Sequence, residues 1–301
     1  MARTLLAAAI AAPWVIWAVV RGTGLELPYP VAPALAFTPY VALTAFVPVV
    51  AAALLRRWQV AVVALVAGVA LVGYVLPRGV QFSDPAAVGS GNGLTVMSVN
   101  VLVGTADPAT VMRIAQEHDV DVLSLQESRP DWLARLDAEG AAARFPHRSA
   151  APIDVALLSR RPLRPTGRPA EGDLTIGSTT VRVTAVHPLP PVSTERWRDW
   201  HDELNALPGT GGATRRILAG DFNATLDHPE LRGVLGRGYQ DAADAVGDGW
   251  RTTWPAGRRF PPEITIDHVL ADERIGVAAY SVRKVPGSDH RAIVARLVVE
   301  P

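Results

Sequence analysis

The amino-acid sequence predicts an α/β domain carried behind apolar helices, and three observations predict it. Charged residues are absent from long stretches before Pro77 but recur every few residues beyond Gly93. The second part alternates continuous apolar runs with segments of helical periodicity, the pattern of sheets covered by helices or by a second sheet. Carboxylates, amides and imidazoles recur where those apolar runs end.

The first 77 residues read as a membrane anchor of three transmembrane helices. No charge falls within 4–20, 27–55 or 58–77 of the 301 residues, and each run is near or above the roughly 20 apolar residues a helix needs to cross about 30 Å of hydrocarbon. Arg3 followed by an apolar stretch also fits a signal peptide, but no small-x-small cleavage site precedes Arg21 and two further runs follow, so a retained anchor is expected. The second run carries Pro28, Pro30, Pro33, Pro39 and Pro48; its helix is expected to start late and to be irregular near Pro39 and Pro48. Arg3, Arg56 and Arg57 outweigh Arg21, which faces Glu26 in the first loop, so the rest of the chain is expected outside the cytoplasmic membrane, with Arg78 weakening the asymmetry. The absence of cysteine fits either side of the membrane.

Residues 78–93, rich in serine, glycine and proline, read as a linker, and the domain is expected over 94–301. Five of the 29 Lys+Arg and two of the 29 Asp+Glu precede Leu94, so the domain is slightly acidic. That excludes a tight nonspecific nucleic-acid clamp built on a basic face, though not a nuclease that binds weakly and turns over.

Within the domain, "LTVMSVNVLV" is a strand, "DPATVMRIAQEHD" a helix capped by Asp107 with Pro108 in its first turn, and "VDVLSLQES" a second strand. Further strands are expected at "DVALLS", "TVRVTAVH", "RRILAGDFN", "TIDHVLA" and "AIVARLVVE", a helix at "STERWRDWHDELNAL", and a capped helix start at "DHPELR". Asn100, Glu127, His187, Asp221 with Asn223, Asp267 and Asp289-His290 lie at or near the ends of these strands. In a layered fold, strand ends at one edge converge on one cleft.

"LQE", "GDFN", "IDHVL" and "GSDH", in this order, with an asparagine in the first strand and a histidine after "VTAV", resemble the motifs of the endonuclease/exonuclease/phosphatase superfamily over about residues 94–299. The resemblance implies the DNase I-like fold: a four-layered α/β sandwich of two packed mixed β-sheets flanked by helices. It implies metal-dependent cleavage of phosphate esters, on substrates that range from nucleic acid to sphingomyelin and inositol phosphates.

The residue types suit that chemistry. A phosphodiester repels hydroxide, so a hard cation with oxygen ligands, Mg²⁺ or Mn²⁺, is expected to neutralise the phosphoryl oxygens. Glu127 is the first choice of metal ligand, with Asn100 beside it and Asp289 supplementing it. By resemblance His290 is the general base that takes a proton from water, and Asp267 accepts its other N–H. Asp267 and His268 are adjacent in a strand and so point to opposite faces; the resemblance puts Asp267 in the cleft. Asn223 can donate to a nonbridging phosphate oxygen, while Asp221 can orient water, protonate the leaving group or bind a second metal. The bland reading of Asp221 and Asn223 is an Asx turn closing a strand. His118, His147, His201, His228 and His268 are expected to be scaffold or surface.

Asp154 opens an apolar strand ahead of Arg161-Pro162, where the resemblance would pair it with His187 to protonate the leaving oxygen. The alternative for Asp154 is a solvent-facing carboxylate in a turn after Pro152. Trp197 and Trp200 are candidates for insertion at a lipid interface or stacking on bases, against helix packing. The expected partners are a phosphodiester, either nucleic acid or phospholipid, and the lipid bilayer through the N-terminal helices; no protein partner is expected. A membrane-tethered binding module without catalysis is the alternative, disfavoured because every expected catalytic position is filled. A transporter or channel is disfavoured by the lack of charge within the three runs.

Overall fold

The computed structural model describes residues 1–81, 91–151, 154–258 and 260–300. Most of the expected linker therefore lies outside the described residues.

Two helices, Ala2–Thr23 and Trp58–Gly79, are long and apolar enough to cross a membrane, and a pair bent by 56°, Val31–Leu43 and Phe46–Leu54, counts as a third if it forms one span. The bend explains the proline pattern: Pro39 and Pro48 each sit in the first turn of a helical piece, Thr38–Leu43 and Phe46–Leu54, where a missing N–H breaks no bond. Large apolar side chains on these helices, such as Leu54, Leu65 and Val69, face outward.

The domain contains two six-stranded mixed sheets. The first is built from β1 (Asn92–Asn100), β2 (Val122–Gln126), β3 (His147–Ala150), β4 (Ala156–Ser159), β11 (Ile275–Lys284) and β12 (Arg291–Val299), in the order β11-β12-β1-β2-β4-β3. The second is built from β5 (Arg164–Pro165), β6 (Glu171–Ile176), β7 (Thr179–Val186), β8 (Arg215–Asp221), β9 (Tyr239–Asp241) and β10 (Asp267–Asp272), in the order β5-β6-β7-β8-β10-β9. Helices Pro108–Glu117 and Pro130–Ala138 contribute Ile114 and Trp132 to the core over the outer face of the first sheet. Helices Thr194–Ala206 and Pro229–Leu235 contribute Trp200 and Leu231 to the core over the second. The four layers are those of the endonuclease/exonuclease/phosphatase fold.

The side-chain period of two sorts each strand between layers. Leu94 and Val96 of β1 enter the core between the sheets, while Met97 and Val99 pack on the helices. On β8, Ile217 and Ala219 face the first sheet and Leu218 faces the helices. Trp200 is fully buried and donates Nε1–H to the Phe222 carbonyl at 3.0 Å, so it packs the core, and Trp197 lies partly buried against the same cluster.

The apolar helices dock on the domain through a buried ion pair. Asp227 Oδ1 accepts from Arg21 Nε and Arg78 Nη2, both at 2.7 Å, with the three side chains no more than 9% exposed. Breaking one partner from a buried pair typically costs about 3–5 kcal/mol. Asp227, expected as part of a helix cap, does not serve as one; the helix begins at Pro229 with His228 at its N-cap position and no side-chain cap bond. Arg78, placed in the linker by the sequence, lies within a helical turn, Leu76–Gly79, and is buried against the domain.

Candidate functional site

One edge of the sandwich collects the polar residues because of strand direction. β1 and β2 run parallel, β7 and β8 run parallel, and β12, β4 and β10 run antiparallel to their neighbours. The C-terminal ends of β1, β2, β7 and β8 thus lie beside the starts of β4, β10 and β12. Asn100, Glu127, His187 and Asp221 come from the first set of ends, and Asp154, Asp267 and His290 from the second.

The parity of each strand then aims them. The face of β1 that turns to the second sheet reads Leu94, Val96, Ser98, Asn100, passing from apolar to polar toward this edge. β8 does the same with Ile217, Ala219 and Asp221, and Asp221 lies directly opposite Asp267 in the β8–β10 register. His268 has the other parity: it is buried, with Nδ1 2.7 Å from Asp241 Oδ2 and Nε2 2.9 Å from the Ala224 carbonyl. Gly220 of "GDFN" is fixed by packing, since a Cβ there would lie 1.8 Å from the Val186 carbonyl oxygen on β7.

Asp221 is the hub. Its Oδ2 accepts from Asn100 Nδ2 at 3.1 Å and lies 3.7 Å from both His187 Nε2 and His290 Nε2. Behind each imidazole stands a carboxylate: Asp267 Oδ2 is 2.9 Å from His290 Nδ1, and Asp154 Oδ2 is 2.5 Å from His187 Nδ1. Burial pushes the Asp221 carboxyl up from its ordinary value, against the two histidines, which pull it down. Burial alone would lower the pKa of His290, but the charges of Asp267 and Asp221 win and raise it to about 10. His187 is likewise raised, because the bond to Asp154 and the charge of Asp221 outweigh burial.

Glu127 and Asn223 hold left-handed backbones, φ 56° and 48°, and Asp154 has φ 90°. Such conformations cost of order 1–3 kcal/mol for ordinary residues and gather at functional sites. Glu127 Oε1 accepts from Asn100 Nδ2 at 2.9 Å and Oε2 from Val103 N–H at 2.8 Å, leaving each oxygen a lone pair toward the cleft. Asn223 closes an Asx turn by donating N–H to Asp221 Oδ1 at 2.9 Å, and gives one amide hydrogen to the Pro188 carbonyl at 3.0 Å. Its second amide hydrogen stays available for a substrate oxygen.

Glu127, Asp154, His187, Asp221, Asn223, Asp289 and His290 all line one cleft of about 750 Å³. Asn100 and Asp267 stand behind this wall, holding Glu127 and His290. A divalent cation fits the donor set: Asp289 Oδ1 is buried without a hydrogen-bond partner, and its other oxygen accepts from Trp254 Nε1 at 3.2 Å. Oxygens of Asp221 and Asp267 and a ring nitrogen of His290 also fall within 4.8 Å of one another, a second buried group able to hold an ion.

Sequence reasoning passed over four features of the cleft. Trp254 braces Asp289 and lies 6.4 Å, centroid to centroid, from the His290 ring. Arg129, exposed at the rim, is the one Arg or Lys that lines the cleft, among the described residues. His228, set aside as scaffold, is a wall residue kept neutral by burial, which lowers its pKa to about 4. Pro33 and Ala36 from the apolar helices complete the wall. Neither the "TTWP" nor the "VAPALA" segment carries a sequence signal for this; only the tertiary docking brings them there.

The order of motifs, the four layers and the convergence of polar residues on Asp221 define a sandwich of the endonuclease/exonuclease/phosphatase type. Residues 97–290 match the model of the Endonuclease/Exonuclease/phosphatase family, and the chain belongs to that family. Among solved structures it is similar to the endonuclease/exonuclease/phosphatase from Beutenbergia cavernae, at 19% identity and TM-score 0.54, covering 69% of this chain and 72% of that one. It is also similar to a humanized TDP2 of D. rerio, at 16% identity and TM-score 0.55, covering 68% of this chain and 98% of that one. The family protein from Bacteroides vulgatus aligns at 13% identity and TM-score 0.52, covering 69% and 99%. No curated protein matches the chain.

Proposed function

We propose that the protein is a membrane-anchored, metal-dependent phosphodiesterase that cleaves a phosphate ester with water activated by His290. The observation that carries this reading is the pair of acid-backed imidazoles whose Nε2 atoms both lie 3.7 Å from Asp221 Oδ2. One histidine to take a proton and one to give it, facing each other across a buried carboxylate, is the arrangement that hydrolysis of an ester needs. Mg²⁺ or Mn²⁺ held by Glu127 and Asp289, with Asn100 orienting Glu127, would neutralise the phosphoryl oxygens and offset the carboxylate charge that keeps His290 protonated. Asp267 fixes His290 with Nδ1–H inward and Nε2 toward water. Asp154 holds His187 as an imidazolium that gives its proton to the leaving oxygen, and Asn223 donates to a nonbridging oxygen. A TDP2 of D. rerio, similar in fold, has been solved with a single-strand DNA product, which keeps nucleic acid among the phosphodiesters to test beside phospholipid.

The apolar helices and the placement of Arg3, Arg56 and Arg57 support a bilayer anchor with the catalytic domain outside the cytoplasmic membrane. Protease added to intact spheroplasts should digest the domain. Protection equal to that of a cytosolic control would reverse the orientation.

The decisive chemical test is Glu127→Gln, which removes the ligand charge and keeps the size. Turnover of bis(nitrophenyl) phosphate with Mg²⁺ or Mn²⁺ is expected to fall by roughly 10²–10⁴-fold while circular dichroism stays unchanged. Wild-type rates in that variant, or in excess chelator, would end the metal-dependent reading.

A further inference from the structure

Beside the cleft lies a second hollow, a groove of about 360 Å³ where the apolar helices meet the domain. Leu43, Val72 and Leu76 stand on its helical wall, Leu226 and Trp250 on its domain wall with Glu263, which is paired with Arg291, and Ala36 and Ile264 are shared with the cleft. The two spaces therefore adjoin at Ala36 and Ile264. The groove is also open to the outside: Leu43 is 73% exposed, Leu76 59% and Trp250 45%. Val72 lies six residues ahead of Arg78, the docking residue, so the groove reaches about 9 Å back along the helix at 1.5 Å per residue. It runs from beside the cleft to exposed apolar side chains of the helices that are long and apolar enough to cross a membrane.

Charge separates the possible occupants. A nucleic-acid strand carries a phosphate at every nucleotide and is held by several cations. Among the described residues, the cleft wall offers Arg129 alone of Arg and Lys, and the groove only Arg78, which is committed to Asp227. Pro33, Leu189, Pro190 and Val192 make the rest of the cleft rim apolar. A ligand with one phosphate diester and a long apolar chain matches both spaces at once.

We propose that the groove holds an acyl chain of a phosphodiester lipid taken laterally from the bilayer, so that its single phosphate lies against Asn223 and His187. The inference rests on the phosphodiesterase reading above and names its substrate class. Water adds across one P–O bond: its oxygen goes to phosphorus, one proton passes to the leaving oxygen, and a phosphomonoester and an alcohol result. The buried Arg21–Asp227–Arg78 triad fixes the domain on the helices, which keeps the groove and cleft in register.

The test uses the full chain in vesicles of phosphatidylcholine with phosphatidylglycerol, and Mg²⁺ or Mn²⁺. Two rates are measured, on vesicle phosphatidylglycerol and on soluble bis(nitrophenyl) phosphate. Val72→Trp fills the groove, and Leu43→Arg places a charge at an exposed groove position without a demand on the core. Each is expected to lower the ratio of lipid to soluble-ester turnover by roughly tenfold. An unchanged ratio in both variants, or faster cleavage of a DNA oligonucleotide than of the lipid, overturns the proposal. A phosphatidylglycerol with a photoreactive acyl chain reads the groove without catalysis: in Glu127→Gln it should crosslink to the domain segment around Trp250, and adding Val72→Trp should abolish that crosslink. Crosslinks confined to the apolar helices overturn the groove. If wild type turns over neither ester, the phosphodiesterase reading fails, and the crosslink still decides the groove.

Discussion

The two sides of the cleft carry the same pair of side chains in different settings. Asp267 and His290 are enclosed, with side chains 0% and 6% exposed, and the carboxylate meets the ring at 2.9 and 3.2 Å. Asp154 and His187 share one 2.5 Å contact, and Asp154 is 37% exposed on a strained turn. Distance alone would rank the second pair as the stronger. Burial works the other way, because a charge screened by water on one side acts less on its neighbour than one surrounded by protein. Burial opposes the charged form of both rings, yet both are raised: His290 to about 10 by Asp267 and Asp221, and His187 by the bond to Asp154 together with the charge of Asp221. The two pairs thus differ in how far water reaches the carboxylate behind each ring.

The largest effect is therefore expected on the enclosed side. Asp267→Asn keeps the volume, removes the charge that both raises the pKa of His290 and anchors its ring, and is expected to lower kcat/KM by about 10²–10⁴-fold, the usual worth of positioned acid–base catalysis. Steady-state kinetics on a soluble diester measure it. The contrast between the pairs breaks if this loss is no greater than that of Asp154→Asn.

The sequence carried much of this arrangement and missed parts of it for physical reasons. Strand ends could be read because continuous apolar runs stop at polar residues, and β1, β2, β4, β7, β8, β10 and β12 fall on the segments expected for them. The alternation that aims the site is also local: Leu94, Val96, Ser98, Asn100 occupy one face by the strand period alone. By contrast β3, β5 and β9 span four, two and three residues, and β6 and β11 carry mixed polar residues, so their strand state comes from pairing. The docking of the apolar helices was unreadable for the same reason. Asp227 lies 206 residues from Arg21 and 149 from Arg78, and nothing in "TLDHPE" distinguishes a carboxylate that will accept two guanidiniums from one that caps a helix. Pro33 and Ala36 reach the cleft only through that docking.

The smallest effect is expected at Asp154, and it sharpens the contrast most because its sign is set. The carboxylate raises the pKa of His187, so Asp154→Asn lowers it. If His187 gives a proton to the leaving oxygen, the active form is the protonated one, and activity is lost as pH rises through that pKa. The alkaline limb of the rate profile should then move to lower pH in the variant, while the acid limb stays in place. The penalty should also depend on the ester. An alkyl leaving group needs the proton and is expected to lose roughly tenfold or more, whereas nitrophenolate leaves unprotonated and should lose little. Asp267→Asn, acting on water attack, should depress both esters alike. Equal small losses on both esters in Asp154→Asn, with the pH profile unmoved, would assign Asp154 to holding the strained turn at the head of β4 and leave His187 without a partner in proton transfer.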